Sequence, residues 1–347
     1  MYEVDANSGI NSGTNSTTNS GTNNGAGRGI SGRIASIDCF RGFTIIMMVF
    51  VNYLGGVLLV PGWLKHAPDI GLTMADIVAP AFIFAIGLTY KMSFDGRAAR
   101  EGFNKTYYHF ITRFLAITGI GAIFTGGAAL IDKSEAIGAW GVLQAIGAAG
   151  LIALILIRAG TLVRFVSGFG LLIIYQIMLD KLWLTQVLSA TQGGLQAALS
   201  WGAMLLVSTA LADLFYRKQN KRFYALASSF ILVLGLLSLT FSPVSKHRVS
   251  MSYVLISVGI SALVFLIFDI FIKNTGAELK LLEWWGRNPL FLYVVQMILL
   301  IATYLPGSRT WYAGASVWSA LCQFAIFFAI LSLIAWQMDK RRIYIKL

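Results

Sequence analysis

Three histidines occur in the chain, and His66 lies in a short polar stretch, WLKHAPD, between two long apolar segments. Imidazole titrates near neutrality, and it serves as a general base or as a nucleophile that carries an acyl group. A fixed amide such as Asn52 can donate to a developing oxyanion, and a carboxylate such as Asp76 can orient or charge-balance the imidazole. Acyl transfer to an amine or hydroxyl needs a base or nucleophile of this kind, and His66, Asn52 and Asp76 are the candidates for chemistry in the chain.

Each candidate also has a structural interpretation. Loop histidines are commonly ordinary exposed side chains, and Asp76 in an apolar segment needs a partner or a water-filled cavity. Asn52 can simply join two helices by a hydrogen bond. Pro80, four residues after Asp76, cannot donate to the Asp76 carbonyl and is expected to open the helix there. His247, in SPVSKHRVSMSY, is an alternative candidate for the reactive histidine.

Composition indicates the elements that must position these residues. Hydrophobic residues make up 57% and charged residues 12%, against roughly 45–50% and 25% in soluble domains. Ten apolar segments are long enough to cross roughly 30 Å of hydrocarbon. Their approximate cores are residues 41–60, 72–92, 111–131, 140–157, 165–180, 196–215, 223–242, 251–272, 288–305 and 315–337. The sequence therefore predicts an all-α polytopic membrane protein, with about ten transmembrane helices in one bundle.

Basic residues predict the orientation of that bundle. If the segments cross alternately, 21 of the 27 Lys and Arg residues lie on the side of the N-terminus. This asymmetry predicts a multi-pass cell-membrane protein with both termini in the cytoplasm and with His66 outside. The net charge of +12 is thus attributed to topology, and no nucleic-acid partner is expected. Residues 1–32, rich in Gly, Asn, Ser and Thr, are predicted to be a disordered cytoplasmic tail before the transmembrane domain 33–347.

Other polar residues suggest binding and packing roles. Asp38 and Arg41 share a helix face at the cytoplasmic start of the first segment. They form either an anchor at the membrane surface or a site where Arg41 binds a phosphate group. The two cysteines give no disulfide or zinc pattern, and no metal is expected. The intramembrane amides are predicted to join helices: Gln144, Gln176, Gln296 and Gln323.

Several motifs together carry a resemblance to a known family. They are SIDCFRG, VFVNYLGG, KHA and GLTMADIVAPAFIFAIG within residues 36–87, GVLQ at 141–144, Pro243-x-x-Lys246 with Ser250-x-Ser252-Tyr253, GRNPLFLYV at 286–294 and the ending KRRIYIKL. Across roughly residues 33–347 the chain resembles the catalytic domain of the heparan-alpha-glucosaminide N-acetyltransferase family. The resemblance implies transfer of an acetyl group from cytosolic acetyl-CoA, the acyl donor, to an amino sugar or related glycan acceptor on the outer side.

The resemblance also assigns roles at matching positions. The family's catalytic histidine falls in a Lys-His-Ala motif, which places it at His66, and its active-site asparagine corresponds to Asn52. Coenzyme A contacts are expected at Asp38, Arg41, Arg113, Gln144, Arg287 and Asn288, and acceptor contacts at Lys246, His247 and Ser252. The sequence departs from the family pattern at Ala145, Ser245, Val249 and Gln296. These departures favour a prokaryotic-type relative with a different acceptor.

Other functions stay open at this point. A secondary transporter or proton-coupled permease would use Asp76 and His66 as a relay and would not bind coenzyme A. A non-catalytic descendant of the family would bind coenzyme A and transfer nothing. The sequence also leaves open ping-pong or direct transfer, and whether the protein forms a homodimer in the bilayer.

Overall fold

Twelve α-helices run through the part of the chain that the structure describes. The structure is a computed structural model, and it describes residues 34–131, 139–218, 220–303 and 309–345. The predicted disordered tail, residues 1–32, lies outside these ranges. The helices are α1 Ala35–Gly55, α2 Met74–Glu101, α3 Phe103–Ile131, α4 Val142–Leu156, α5 Thr161–Met178, α6 Leu184–Leu188, α7 Ala198–Lys218, α8 Lys221–Leu237, α9 Met251–Thr275, α10 Lys280–Arg287, α11 Pro289–Thr303 and α12 Val317–Lys340.

Each of the ten predicted membrane-spanning segments overlaps one long helix, and α6 and α10 lie outside the segments. Within the described ranges, eight helices are long and apolar enough to cross a membrane, α5 and α6 together forming one of them. The pair α10 and α11 meets at 85° and makes a ninth span when the two are taken together. The remaining helix, α4, is apolar but has 15 residues, about 22 Å at 1.5 Å per residue. The all-α polytopic architecture is confirmed.

The connections give the bundle two distinct ends. α1 ends, and α2 begins, at the loop that carries His66, so these two helices run in opposite directions. α3 returns along α2, and α4 begins where Gly121 of α3 meets Gln144. Gln144 therefore lies at the same end of the bundle as His66, which we call the His66 end. The start of α1 lies at the opposite end, which we call the Arg41 end.

Two glycines allow α10 to pack directly on the start of α1. A Cβ atom on Gly286 would lie 1.8 Å from the carbonyl oxygen of Asp38, and a Cβ on Gly42 would lie 1.8 Å from that of Leu282. Both distances are far below any real contact, so only glycine permits this approach of the two backbones. The approach joins the last spans of the chain to its first.

We expect Gly286→Ala to destabilise the protein by about 1–3 kcal/mol, because the added methyl group must push α10 away from α1. The thermal-unfolding midpoint in detergent, followed by tryptophan fluorescence, measures this effect. Gly119→Ala in α3 is the matched control, because a Cβ there meets nothing within 4 Å. Equal midpoints for the two variants would contradict the close packing.

Candidate active site

His66 and Asp76 form a hydrogen-bonded pair at the His66 end. Nδ1 of His66 lies 2.8 Å from Oδ1 of Asp76. The imidazole side chain is 40% exposed, whereas the carboxylate is 0% exposed. A buried carboxylate on Nδ1 favours the tautomer that carries its proton there, which leaves the Nε2 lone pair available. The pair thus presents a reactive imidazole nitrogen at an accessible position.

The local sequence of the α2 start fixes the Asp76 carboxylate. The backbone N–H of Thr73 donates to its Oδ2 at 3.0 Å, and the Thr73 hydroxyl donates to the same oxygen at 2.9 Å. The backbone N–H of Ala67 adds a third hydrogen bond at 3.2 Å. This is a capping box, in which the side chain of Asp76, the third residue of the helix, bonds back to the backbone N–H of Thr73, the residue just before the helix. Three donors and an imidazole explain how the bundle accommodates a buried carboxylate.

Pro80 leaves the backbone carbonyl of Asp76 without its usual helical donor, as the sequence predicts. The phenol of Tyr253, at the start of α9, donates to this carbonyl at 2.7 Å. Tyr253 is fully buried, so this hydrogen bond joins α9 to α2 at Asp76. α2 nevertheless remains one continuous helix through this point, so the expected opening of the helix at Pro80 is wrong. We call the pair of His66 and Asp76 the dyad.

Lys246 completes a cluster with the dyad. Its Nζ lies 3.0 Å from Nε2 and 3.1 Å from Nδ1 of His66. The Nζ is therefore nearly equidistant from the two ring nitrogens, of which Nδ1 already bonds to Asp76. Burial lowers the pKa of Lys246 to about 8, and the negative charge of Asp76 opposes this shift. A lysine with this pKa can exchange its proton near neutral pH.

Two loops that are far apart in sequence dock to hold Lys246 in place. An antiparallel backbone bridge pairs Ile70, in the loop before α2, with Ser245, in the loop before α9. The Arg248 guanidinium forms an ion pair with Asp69, with Nε 3.0 and 3.1 Å from the two carboxylate oxygens. The Ser245 hydroxyl donates to Asp69 at 2.8 Å. We call this set of contacts the clasp.

A tight turn orients the Lys246 side chain within the second loop. The N–H of Val249 donates to the carbonyl of Lys246 at 3.1 Å, and the N–H of Ser250 to that of Ser245 at 3.2 Å. Val249 has φ = 47°, which is rare for a β-branched residue. Ser245 and Val249, two positions where a departure from the family pattern is expected, both take part in this turn.

Asn52 forms a hydrogen bond with another helix and not with the dyad. Its Nδ2 donates to Oε1 of Gln296 in α11 at 3.3 Å. Nε2 of Gln296 is buried and has no hydrogen-bond partner among the described residues. Gln296, another position where a departure from the family pattern is expected, is thus in direct contact with Asn52.

The three acceptor-site candidates differ in placement. Lys246 contacts His66, as described. His247 is partly buried in the same turn, and burial together with the charge of Lys246 lowers its pKa. Ser252 is fully buried and its hydroxyl lies 3.1 Å from that of Ser250.

At the Arg41 end, three of the donor-site candidates gather around the start of α1. Arg41 lies 3.6 Å from Asp38 and donates to Thr89 at 2.6 Å. Arg113 lies within electrostatic range of Arg41. Nε of Arg113 is buried and has no hydrogen-bond partner among the described residues. Two neighbouring guanidinium groups with an unused buried donor fit an anionic ligand such as a phosphate.

The other donor-site candidates already hold protein groups. Arg287 forms ion pairs with Glu283 and Asp339. The Asn288 amide accepts from the N–H of Ile345 and donates to the carbonyl of residue 343, so it fixes the C-terminal segment. Gln144 caps α4 at the His66 end by accepting from the N–H of residue 141. The structure therefore separates Gln144 from the other five candidates.

Fold and site together define a polytopic helical membrane protein with a histidine–aspartate dyad at one end of its bundle. Residues 33–241 match the sequence model of the family described as heparan-alpha-glucosaminide N-acetyltransferase, catalytic, and the chain belongs to this family. A stretch of 61 residues is 48% identical to the human heparan-alpha-glucosaminide N-acetyltransferase, and 63 residues are 41% identical to the mouse protein. Each stretch covers 18% of this chain and 9% of the relative.

Proposed function

We propose that the protein is a transmembrane acetyltransferase. It takes an acetyl group from acetyl-CoA at the Arg41 end, on the cytosolic side, and transfers it to an amino sugar or related glycan at the His66 end. The observation that carries this proposal is the buried Asp76 carboxylate 2.8 Å from Nδ1 of a half-exposed His66. Family membership supports the acetyl group as the transferred unit.

The dyad supplies the reactive group of this reaction. Nε2 reacts either by accepting a proton from the acceptor or by attacking the acetyl carbonyl itself. In both cases the imidazole becomes positive, and Asp76, which holds the Nδ1 proton, stabilises that charge. Asn52 is the donor that we assign to the developing oxyanion, because its amide has a second N–H beyond the one bonded to Gln296.

One face of α1 carries both Arg41, assigned to the donor, and Asn52, assigned to the oxyanion. Arg41 and Asn52 are eleven residues apart, so at 100° per residue they lie within about 20° of each other around the helix. Along the axis they are about 16 Å apart at 1.5 Å per residue. Acetyl-CoA is long and flexible, with phosphates at one end and a thioester at the other. Its phosphates can bind at Arg41 while its thioester reaches Asn52.

We expect Arg113→Gln to raise KM for acetyl-CoA about 10–100-fold with little change in kcat. A charge-assisted hydrogen bond contributes about 1.5–3 kcal/mol, and a phosphate far from the reacting carbon is bound equally in ground and transition states. Initial rates against acetyl-CoA concentration measure the effect. Arg158→Gln, a basic residue that packs on Phe103, is the control, and an equal KM for both variants would remove Arg113 from the donor site.

Purified protein in sealed proteoliposomes tests the function directly. Radiolabelled acetyl-CoA is supplied on one side and a panel of amino sugars on the other, and labelled product is collected from the acceptor side. A thermal-shift titration with coenzyme A distinguishes an acetyltransferase from a transporter. The melting temperature of an acetyltransferase should rise with coenzyme A, whereas that of a transporter that does not bind coenzyme A should stay unchanged. No labelled product with any amino sugar, together with no shift by coenzyme A, would overturn the proposal.

A further inference from the structure

We propose that Lys246 carries the proton of the transfer, giving it to the departing thiolate and recovering it from the acceptor. This inference rests on the proposed acetyltransferase function and takes the route in which Nε2 of His66 carries the acetyl group. It assigns a residue to the proton, which an acetylated Nε2 cannot accept. The geometry behind it is the 3.0 Å contact between Nζ of Lys246 and Nε2 of His66, the atom that takes the acetyl group.

The surroundings of Lys246 favour a chemical role over a structural one. Its side chain is buried, yet its Nζ contacts an imidazole and no carboxylate within ion-pair distance among the described residues. Its neighbour Arg248, in contrast, has a direct carboxylate partner in Asp69. The clasp thus uses the arginine for docking and leaves the lysine ammonium facing the reactive nitrogen.

In the first half of the reaction, a bond from Nε2 to the acetyl carbon forms and the carbon–sulfur bond of the thioester breaks. The Nε2 lone pair of His66 bonds to the acetyl carbonyl carbon, the carbon–sulfur bond breaks, and its electron pair stays on sulfur. The Lys246 ammonium gives a proton to that sulfur, which yields free coenzyme A and a neutral lysine. Asp76 stabilises the positive charge on the acetylated imidazole through the Nδ1 proton.

The second half restores the starting state. The neutral amine of the acceptor bonds to the acetyl carbon, the bond from that carbon to Nε2 breaks, and its electron pair returns to His66. The acceptor nitrogen loses a proton, and the neutral Lys246 takes it up. Each cycle therefore consumes one thioester and one amine and releases one amide and one thiol, with no net proton on the protein.

The pKa of Lys246 suits this exchange. An ordinary lysine has a pKa near about 10.4, whereas a thiol has one near about 8.5, and proton transfer is most efficient between groups of similar pKa. Burial brings the pKa of Lys246 to about 8. The ammonium exists below this pH, so release of coenzyme A should fall as the pH rises through about 8. The charged and titratable groups that interact with this lysine are His66, Asp76 and His247. Asp69, Tyr253 and Arg248 interact with His247, Asp76 and Asp69 in turn.

Single-turnover release of coenzyme A, without acceptor, tests the proposal in the full-length protein. Wild type, Lys246→Met and Lys246→Arg are compared between pH 6 and pH 10. Chromatographic quantification of coenzyme A avoids a thiol reagent, which would also modify the exposed thiol of Cys322. Lys65→Met is the matched control, since Lys65 adjoins His66 but bonds through Nζ to the carbonyl of Leu58.

We expect both Lys246 variants to release coenzyme A about 10²–10⁴-fold more slowly and to lose the fall near pH 8, while Lys65→Met behaves as wild type. Lys246→Arg is the decisive variant, because arginine keeps the charge but does not give up its proton. Wild-type rates in Lys246→Arg, or an unchanged pH profile, would reduce Lys246 to a charge partner and overturn the proposal.

Two further outcomes keep this inference separate from the proposed function. Wild-type protein that transfers acetyl groups with acceptor present, but releases no coenzyme A without it, lacks the acetylated histidine and also overturns the proton cycle. Wild-type protein that transfers nothing under either condition fails the acetyltransferase proposal itself. Chemical rescue of Lys246→Ala by small primary amines, with rates that depend on the amine pKa, would support the proton role independently of folding.

Discussion

Replacing His66 with glutamine is expected to lower acetyl transfer by about 10⁴-fold or more. Glutamine can still fill the space and accept a hydrogen bond from Lys246, but it neither takes up a proton near neutral pH nor forms an acyl intermediate. The steady-state rate with radiolabelled acetyl-CoA measures the loss. Recovery of labelled protein after denaturation tests for the acetylated histidine in wild type.

The thermal shift by coenzyme A should survive in His66→Gln, because the arginines that we assign to the donor lie at the opposite end of the bundle. His109→Gln is the matched control, since His109 belongs to α3 and has no part in the proposed reaction. A rate within tenfold of wild type in His66→Gln would remove this histidine from the chemistry.

The second large effect is expected for Asp76→Asn, which should lower kcat by about 10³–10⁴-fold. An amide cannot fix the Nδ1 tautomer or stabilise the positive imidazole as a carboxylate does, and the equivalent change in serine proteases has an effect of this size. KM for acetyl-CoA should change little, because the donor contacts are remote. Initial rates over a range of acetyl-CoA concentrations separate the two parameters.

Asp95→Asn provides the control for Asp76→Asn on the same helix. Asp95 is an exposed residue that pairs with Lys91 one turn away, so its charge should not matter for the rate. Thermal unfolding of both variants tells a folding defect from a chemical one. An Asp76→Asn variant that folds normally and retains a tenth of the wild-type kcat would assign Asp76 to packing alone.

Part of the site follows from local sequence. The stretch Thr73-Met-Ala-Asp76 fits the capping-box pattern at the start of an apolar run, which already predicts a carboxylate bonded to backbone N–H groups. Pro80 likewise predicts a freed carbonyl four residues before it. The intramembrane amides join helices as expected, with Gln296 bonded to Asn52 and Gln323 to Tyr53.

Contacts between distant loops had no such signal. Lys246 follows His66 by 180 positions, and its approach depends on the clasp, which no periodicity in the sequence encodes. The family match ends at residue 241, so Lys246 and Tyr253 fall beyond it. The partner of Asn52 is equally invisible in the sequence. The sequence shows that α1 carries a polar residue at this position, but only the structure shows that it bonds to Gln296.

Two helices lie outside the predicted apolar segments, the five-residue α6 and the eight-residue α10. The composition of α10 explains why hydropathy missed it. Residues 280–287, KLLEWWGR, mix charged and aromatic side chains, so no apolar segment is visible there. The residue before a proline disfavours the helical conformation, and Asn288 precedes Pro289. The chain bends by 85° at this point, which places α10 against α1 while α11 continues as the predicted ninth segment.

The clasp has a consequence for biogenesis. A nascent chain emerges from its N-terminus at about 5–20 residues per second, so His66 and Asp76 exist well before the loop that pairs with them. Until Arg248 and Lys246 have been synthesised and the α8–α9 hairpin inserted, Asp69 lacks its arginine partner and Nε2 of His66 has no ammonium beside it. The cluster of His66, Asp76 and Lys246 is therefore complete only after α9 has inserted, and Asn52 gains its partner Gln296 later still, with α11.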